Sequence, residues 1–143
     1  MNEKQKSFRI VLSSIVGAKE DAEIAYQKEI SRQRQIAEEI ECVNGQIAGL
    51  RVERDNHYKI GQPMLAIPTE IEISKLEAGR ATLGVEMAGI EMNMRRYDAN
   101  IAGLHMDLYI ALSENNLGTE IINIRNADDP INEAKKFFNK AFI

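Results

Sequence analysis

The sequence predicts an all-α protein, a long antiparallel helical hairpin of coiled-coil type followed by a short amphipathic helix at the C-terminus. Three observations predict this fold class. Apolar residues recur at steps of three and four, one proline- and glycine-rich segment interrupts them near the middle, and only 6% of the 143 residues are aromatic. Thin helical bundles fill their seams with aliphatic side chains, whereas thick globular cores usually contain more aromatic volume.

The first helix is predicted at about residues 3–60, because its apolar positions keep one helical phase throughout. These positions are Phe8, Val11, Ile15, Ala18, Ala22, Ala25, Ile36, Ile40, Val43, Ile47 and Leu50. Asn44-Gly45 is a common turn dipeptide. The phase nevertheless continues across it, so we expect one long helix, either straight or bent at Gly17 or Gly45.

The turn of the hairpin is predicted at residues 61–68, where Gly61, Pro63 and Pro68 would stop a helix. Thr69 and Glu72 form a capping-box sequence, which predicts that the second helix spans residues 69–114. Its inner seam consists of Ile73, Leu76, Leu83, Met87, Ile90, Met94, Tyr97, Ile101, Leu104 and Leu108, with Arg80 as an interruption.

These two helices make residues 1–118 a hairpin domain, since a tight connection favours antiparallel neighbours. A turn centred near Met64-Leu65 would place Leu104 opposite Ala25 and Leu108 near Ala22. Large residues of the second helix would then face small residues of the first.

The second helix also carries an outer apolar stripe, nearly opposite its seam. The stripe consists of Ala81, Val85, Ala88, Met92, Ala99, Ala102, Met106 and Tyr109, with Arg95 as a charged interruption. A helix that is apolar on two sides is usually sandwiched. We therefore predict a protein-interaction surface at Val85, Met92, Ala99, Met106 and Tyr109, although alanine-rich stripes also occur at solvated surfaces.

Residues 119–143 are predicted to be a linker and a short helix, with Asp129 as N-cap and Pro130 in the first turn. The linker itself is ambiguous between helical and extended structure. Phe137, Phe138 and Phe142 form the aromatic anchors of this helix. They can dock onto the chain's own hairpin near Phe8, into a groove on a partner, or onto a membrane surface.

A recurring tetrapeptide places three glycines at one position of the helical frame. Ile47-Ala48-Gly49-Leu50 and Ile101-Ala102-Gly103-Leu104 are identical, and Met87-Ala88-Gly89-Ile90 is a near-copy. Glycine inside a helix costs about 1 kcal/mol relative to alanine. We therefore expect close packing of another backbone at Gly49, Gly89 and Gly103.

The residues of catalytic chemistry do not form a recognisable pattern, so we predict no enzyme, no metal site and no cofactor. His57 and His105 lack the Glu-x-x-His motif of di-metal bundles. The lone Cys42 is interpreted as a packing residue. No glycine-rich phosphate loop or nucleophile elbow is present in the sequence. The net charge of −4 argues against general nucleic-acid binding.

The N-terminal segment has some features of a signal peptide, with Lys4, Lys6 and Arg9 before an apolar run. Glu3 and two serines weaken this pattern, and no apolar run reaches the roughly 20 residues of a membrane span. The expected location is cytoplasmic or within an assembled particle.

The predicted function is structural, namely packing of the hairpin in a homo-oligomer or with other helical proteins of a larger machine. In outline the hairpin resembles the coiled-coil stalk proteins of type III and flagellar export, and its composition is similar to that of internal virion proteins of tailed phages. These likenesses imply a virion or secretion-type component. The alternatives are a binding module, such as an adaptor, chaperone or inhibitor, and a membrane-active helical protein.

Overall fold

The chain is all-α, as predicted. The structure is a computed structural model that describes residues 3–115 and 123–142, and for residues 140–142 it describes the backbone alone. Helix α1 spans Glu3–Lys59, a 3-10 helix spans Pro63–Leu65, α2 spans Ala66–Glu114 and α3 spans Pro130–Phe142. The described residues contain no β-strand, and α1 continues through Asn44-Gly45 without interruption.

The C-terminal end of α1 is closed by a Schellman motif. Gly61 has a φ of 74°, in the left-handed region that glycine enters without steric cost. The backbone N–H of Gln62 donates to the carbonyl of His57 at 3.0 Å, and that of Gly61 donates to Tyr58 at 3.1 Å. These two bonds satisfy carbonyls that would otherwise lack partners at the helix end.

The start of α2 differs from the prediction, because the helix begins at Ala66 and not at Thr69. The preceding 3-10 helix leads directly into α2, with the backbone N–H of Ala66 bonded to the carbonyl of Pro63. Pro68 therefore lies in the first turn, where a missing N–H removes no helical hydrogen bond. Thr69 is a buried residue of that turn and does not form the expected capping box.

The described chain divides into two compact units. Residues 28–94 form one of them, with the turn at one end and an aliphatic seam between its two helical segments. Its buried apolar residues are Ile36, Ile47, Ala66, Ile73 and Ile90, which match the predicted seam except for Ala66.

Polar residues flank this seam and pair across it. Arg80, the predicted interruption, donates to the side-chain oxygen of Asn44 at 2.8 Å, and Arg51 lies 3.0 Å from Glu77. Such exposed pairs contribute about 1 kcal/mol or less each. The aliphatic seam therefore provides most of the stability of this unit.

The other unit comprises the described residues of 1–27 and 95–143 and has a three-helix core. Its buried residues are Phe8, Leu12, Ile15, Leu108, Ala111, Leu112, Ile124, Ile131, Ala134 and Phe138. The rings of Phe8 and Phe138 lie 5.3 Å apart at a tilt of 48°, a favourable geometry for an aromatic pair. The short helix therefore docks onto the chain itself near Phe8, the first of the three arrangements considered.

The predicted register of this unit is wrong. Leu108 belongs to the same core as Leu12 and Ile15, which lie about two to three helical turns from the predicted neighbour Ala22. Leu12, and not Val11, enters the core, and Val11 is exposed. The error arises because α2 begins earlier than expected and because steps of three and four fit both Val11 and Leu12.

The beginning of α3 agrees with the sequence prediction. Oδ1 of Asp129 accepts a hydrogen bond from the backbone N–H of Asn132 at 3.2 Å, and Pro130 is the first helical residue. Residues 123–125 of the preceding linker are helical and not extended. The rest of the ambiguous segment, residues 119–122, lies outside the described part of the chain.

Candidate interaction surface

The outer stripe of α2 is solvent-exposed along most of its predicted residues. Val85, Met92 and Met106 are 73%, 63% and 59% exposed, and Ala99 is exposed as well. Large apolar side chains at such exposure are common singly but uncommon in a regular row. The stripe therefore remains the leading candidate for an interaction surface.

Tyr109 was predicted to belong to that exposed stripe, but it does not. Its side chain is half-buried against the three-helix core, and the guanidinium carbon of Arg125 lies 5.8 Å from the centre of its ring. This distance suits a cation–π interaction. Tyr109 is therefore occupied within the chain, because the segment after α2 returns to cover this end of the helix.

In residues 28–94, the exposed stripe extends beyond its predicted start. Ile67 and Ile71 are about half-exposed, at 45% and 52%, and both precede Val85 on the outer side of α2. Ile71, Ala78, Val85 and Met92 follow one another at intervals of seven residues, and Ile67 lies four residues before Ile71. The exposed row therefore continues towards the turn. Ile67 was not predicted as part of the stripe because it was assigned to the turn, and Ile71, although within the predicted helix, was also left out of the predicted stripe.

Charged residues of opposite sign flank this part of the stripe. Glu70, Glu77 and Glu91 lie along one side, and Lys75 and Arg96 along the other, by their positions on α2. Glu70 accepts a hydrogen bond from the hydroxyl of Tyr58 at 2.6 Å. This bond is the largest of the causes that raise the pKa of Tyr58.

The turn of the hairpin is a second exposed apolar surface, which the sequence analysis did not identify. Ile60, Met64 and Leu65 are 66%, 75% and 51% exposed. Their position next to Gly61 and Pro63 made them look like ordinary turn residues, and no periodicity marks such a cluster. We call these three residues the apolar tip.

The phenylalanine tail is not a free surface. Phe138 is 3% exposed within the three-helix core, so its prediction as a contact for another protein is wrong. Phe137 is half-buried and also interacts within the chain. The side chain of Phe142 lies outside the described residues.

The predicted close packing at the glycines does not occur within the chain. Among the described residues, no atom other than those of the adjoining residues and the local helix backbone lies within 4 Å of the position that a Cβ would occupy at Gly49, Gly89 or Gly103. The intramolecular form of that prediction is therefore wrong. Close approach of a second chain at these positions stays a prediction.

A small groove lies among the described residues of the unit of residues 1–27 and 95–143. It has a volume of about 180 Å³ and is lined mainly by Ala22, Tyr26, Tyr97, Asp98 and Ile101. Ligand pockets usually span about 300–1,000 Å³ and combine apolar walls with several convergent polar groups. The groove is below this range, so it provides no binding site of ordinary size.

Reactive side chains are dispersed over the described residues. No group of three or more His, Cys, Asp or Glu among them could hold a metal ion. His57 lies 3.7 Å from Glu53 one turn earlier. Cys42 is exposed, so its interpretation as a packing residue is wrong.

No helix in the described part of the chain has the length and apolarity required to cross a membrane. In comparisons with protein families, curated proteins and solved structures, no match to this chain was found.

Proposed function

We propose that this protein is a non-enzymatic assembly component whose hairpin packs against further helices through the outer face of α2. The observation that carries this proposal is the regular row of exposed apolar residues on that face, Ile71, Val85 and Met92 in particular. The opposite face of the same helix already packs in the seam through Ile73 and Ile90. α2 is therefore apolar on both sides, and α1 covers one of them.

The free energy available from this face is of the same order as the cost of association. Burying a Val, Ile or Met side chain fully contributes about 1.5–3 kcal/mol. A row of such residues on each of two helices therefore offsets the loss of translational and rotational freedom, which costs about 4–15 kcal/mol. Isolated exposed side chains would not reach this threshold.

The partner is a second copy of this chain or another helical protein of a larger assembly, such as a virion or a secretion-type apparatus. The alternative of a binding module that uses the phenylalanine-rich helix loses its main anchor, because Phe138 is buried in the chain's own core. A membrane-active role would have to use the outer stripe or the apolar tip.

The proposal is tested by replacing Met92 and Met106 together with glutamate and measuring the molar mass by light scattering. We expect the wild type to associate and the Met92→Glu/Met106→Glu variant to be monomeric with unchanged helix content, because the new carboxylates would lose hydration in the contact.

A matched control introduces the same charge away from the stripe, at the exposed amides of Gln46 and Asn100. The Gln46→Glu/Asn100→Glu variant should associate like the wild type. A wild-type chain that is monomeric at high concentration, without added partners, would exclude the homo-oligomer. Association that survives in the methionine variant would show that another surface makes the contact.

A further inference from the structure

We propose that the partner on the outer face of α2 is a second copy of this chain, paired parallel and in register over residues 67–92. This inference rests on the proposed function and specifies its contact. It is carried by the order of apolar, small and charged residues along α2, together with their exposure.

The heptad frame of the outer face defines the extent of the contact. With Ile71 as position a, the a positions are Ile71, Ala78, Val85 and Met92, and the d positions are Ile67, Ser74, Ala81 and Ala88. All eight residues are exposed. The next d position is Arg95, and a charge there ends the apolar seam. The apolar seam of the contact therefore lies within the unit of residues 28–94.

The flanking charges determine the orientation. The g positions include Glu70, Glu77 and Glu91, and the e positions include Lys75 and Arg96. In a parallel coiled coil, a g residue faces the e residue five positions further along the other helix. Glu70 then faces Lys75 of the partner subunit, and Glu91 faces Arg96 of the partner subunit. Two-fold symmetry doubles both pairs.

The antiparallel arrangement lacks this complementarity. There, g positions face g positions and e positions face e positions. With residues 67–92 overlapping, Glu70 would oppose Glu91 of the partner subunit and Lys75 would face Thr82 of the partner subunit, so no opposite charges would meet. Like charges across a helical interface are destabilising and act against the wrong partner orientation. The charge pattern of α2 therefore favours the parallel pair over the antiparallel one.

Two glycines follow the same g-to-e spacing. Gly84 is at position g and Gly89 at position e, five residues further along, so the parallel pair places Gly84 beside Gly89 of the partner subunit. Both positions have open space around them among the described residues. Facing glycines and small d residues allow two helix backbones to approach closely. Close approach of the two backbones would explain why glycine occupies position 89 in the Met87–Ile90 tetrapeptide.

The parallel arrangement also has a consequence for the apolar tip. It brings the tips of two copies to the same end of the contact, next to Ile67 and Ile71. The exposed residues Ile60, Met64 and Leu65 of the two chains would then form one joint apolar patch.

Disulfide cross-linking tests the orientation, since Cβ atoms must come within about 3.5–4.5 Å to be bridged. The exposed Cys42 is first replaced by serine in the full chain. Ala78→Cys, Val85→Cys and Met92→Cys are then made singly and oxidised. A parallel, in-register pair predicts covalent dimers for all three variants. Glu72→Cys, an exposed position off the stripe, is the control and should remain monomeric on oxidation.

A charge exchange gives an independent readout. Glu91→Arg places cations opposite Arg96 of the partner subunit, and we expect about a tenfold weaker dimer from two repulsive exposed pairs. The double variant Glu91→Arg/Arg96→Glu restores opposite signs and should recover wild-type affinity in sedimentation equilibrium.

The outcomes separate this inference from the proposed function. An antiparallel contact over the same residues would cross-link none of the three single variants, because its a positions face d positions, and it would join Met92→Cys to Ile67→Cys in a mixed sample. That result would overturn the parallel pairing while the chain still self-associates. A wild-type chain that is monomeric at all concentrations would overturn both. Cross-links at all three positions with charge recovery would support the parallel pair.

Discussion

The two carboxylate oxygens of Asp129 make two different contacts, a helix cap and an ion pair. Oδ1 caps α3 through the N–H of Asn132, and Oδ2 lies 2.5 Å from the ammonium nitrogen of Lys19 on α1. Glu23 lies 3.4 Å from the same nitrogen. The N-cap residue of the short helix is thus fixed by a local hydrogen bond to α3 and by a long-range ion pair to α1.

Two substitutions separate these roles. Asp129→Ala removes the cap and the ion pair, and we expect it to lower the free energy of unfolding by about 1–2 kcal/mol. Asp129→Asn keeps an oxygen for the cap and removes the charge, so its cost should be about 0.5 kcal/mol, because solvent screens a carboxylate that is 44% exposed. Chemical denaturation of both variants measures the difference, and equal losses would contradict separate roles.

The same pair predicts a pH dependence. Burial would lower the pKa of Lys19, but its hydrogen bond to Asp129 and the nearby carboxylates together raise it above 10.5. Burial would raise the pKa of Asp129, but the bonds from Lys19 and Asn132 together lower it below 3.8. The contribution of the pair is therefore complete between these two pH values. It is lost as the pH falls through the lowered pKa of Asp129 or rises through the raised pKa of Lys19.

The advantage of the wild type over Asp129→Asn should accordingly be present in full at pH 7 and smaller at pH 2, below the ordinary pKa of 3.8. Unfolding by denaturant at both pH values checks this expectation. An advantage that persists unchanged in acid would mean that the ion pair does not stabilise the fold.

At the scale of the helical element, a side chain at a glycine of α2 should affect the stability of one chain and the pairing of two chains differently. In the chain alone, Gly89 has open space around it, so a side chain there should improve helix propensity without a clash. In the proposed pair, the same side chain would hold the two helices apart.

We therefore expect Gly89→Leu to act in opposite directions on two measurements. It should raise the free energy of unfolding of the dilute chain by up to about 1 kcal/mol and weaken self-association at higher concentration. Gly45→Leu on α1 is the control, because Gly45 also lies in open space but off the contact. If Gly89→Leu leaves association intact, the recurring tetrapeptide reflects helical periodicity alone.

At the scale of the whole molecule, each unit has its own core. One depends on the seam around Ile47 and Ile90, and the other on the cluster around Phe8, Leu108 and Phe138. The second cluster joins residues of α1 to residues of α2, of the helical segment 123–125 and of α3, which are distant from α1 in sequence. α3 has 13 residues, a marginal length for an isolated helix in water, so it depends on this packing.

Phe138→Ala should consequently release α3 from its unit. We expect a loss of about 3–5 kcal/mol from that core and faster hydrogen exchange in residues 130–142 and around Phe8. Amides of residues 28–94 should keep their protection, because their seam is separate. Lys136→Ala, on the exposed side of α3, is the control. Unchanged exchange in Phe138→Ala would contradict docking through this ring.

Local patterns in the sequence were sufficient to predict the elements. The heptad of α2, the stop at Gly61 and the cap at Asp129 each depend on residues within a few positions of one another, so they are readable without a structure. The exposed stripe at Val85, Met92 and Met106 follows from the same periodicity. The start of α2 was predicted incorrectly because two signals competed there, and the 3-10 helix after Pro63 prevailed over the capping-box sequence at Thr69.

The sequence by itself therefore determined the helical elements, the hairpin and the two apolar faces of α2, because helix formation and amphipathicity are encoded at steps of three and four residues. The tertiary structure alone decided the register of Leu108 with Leu12, the burial of Phe138 and the exposure of the apolar tip. These features depend on contacts between distant segments, where several registers satisfy the same local pattern and packing selects among them.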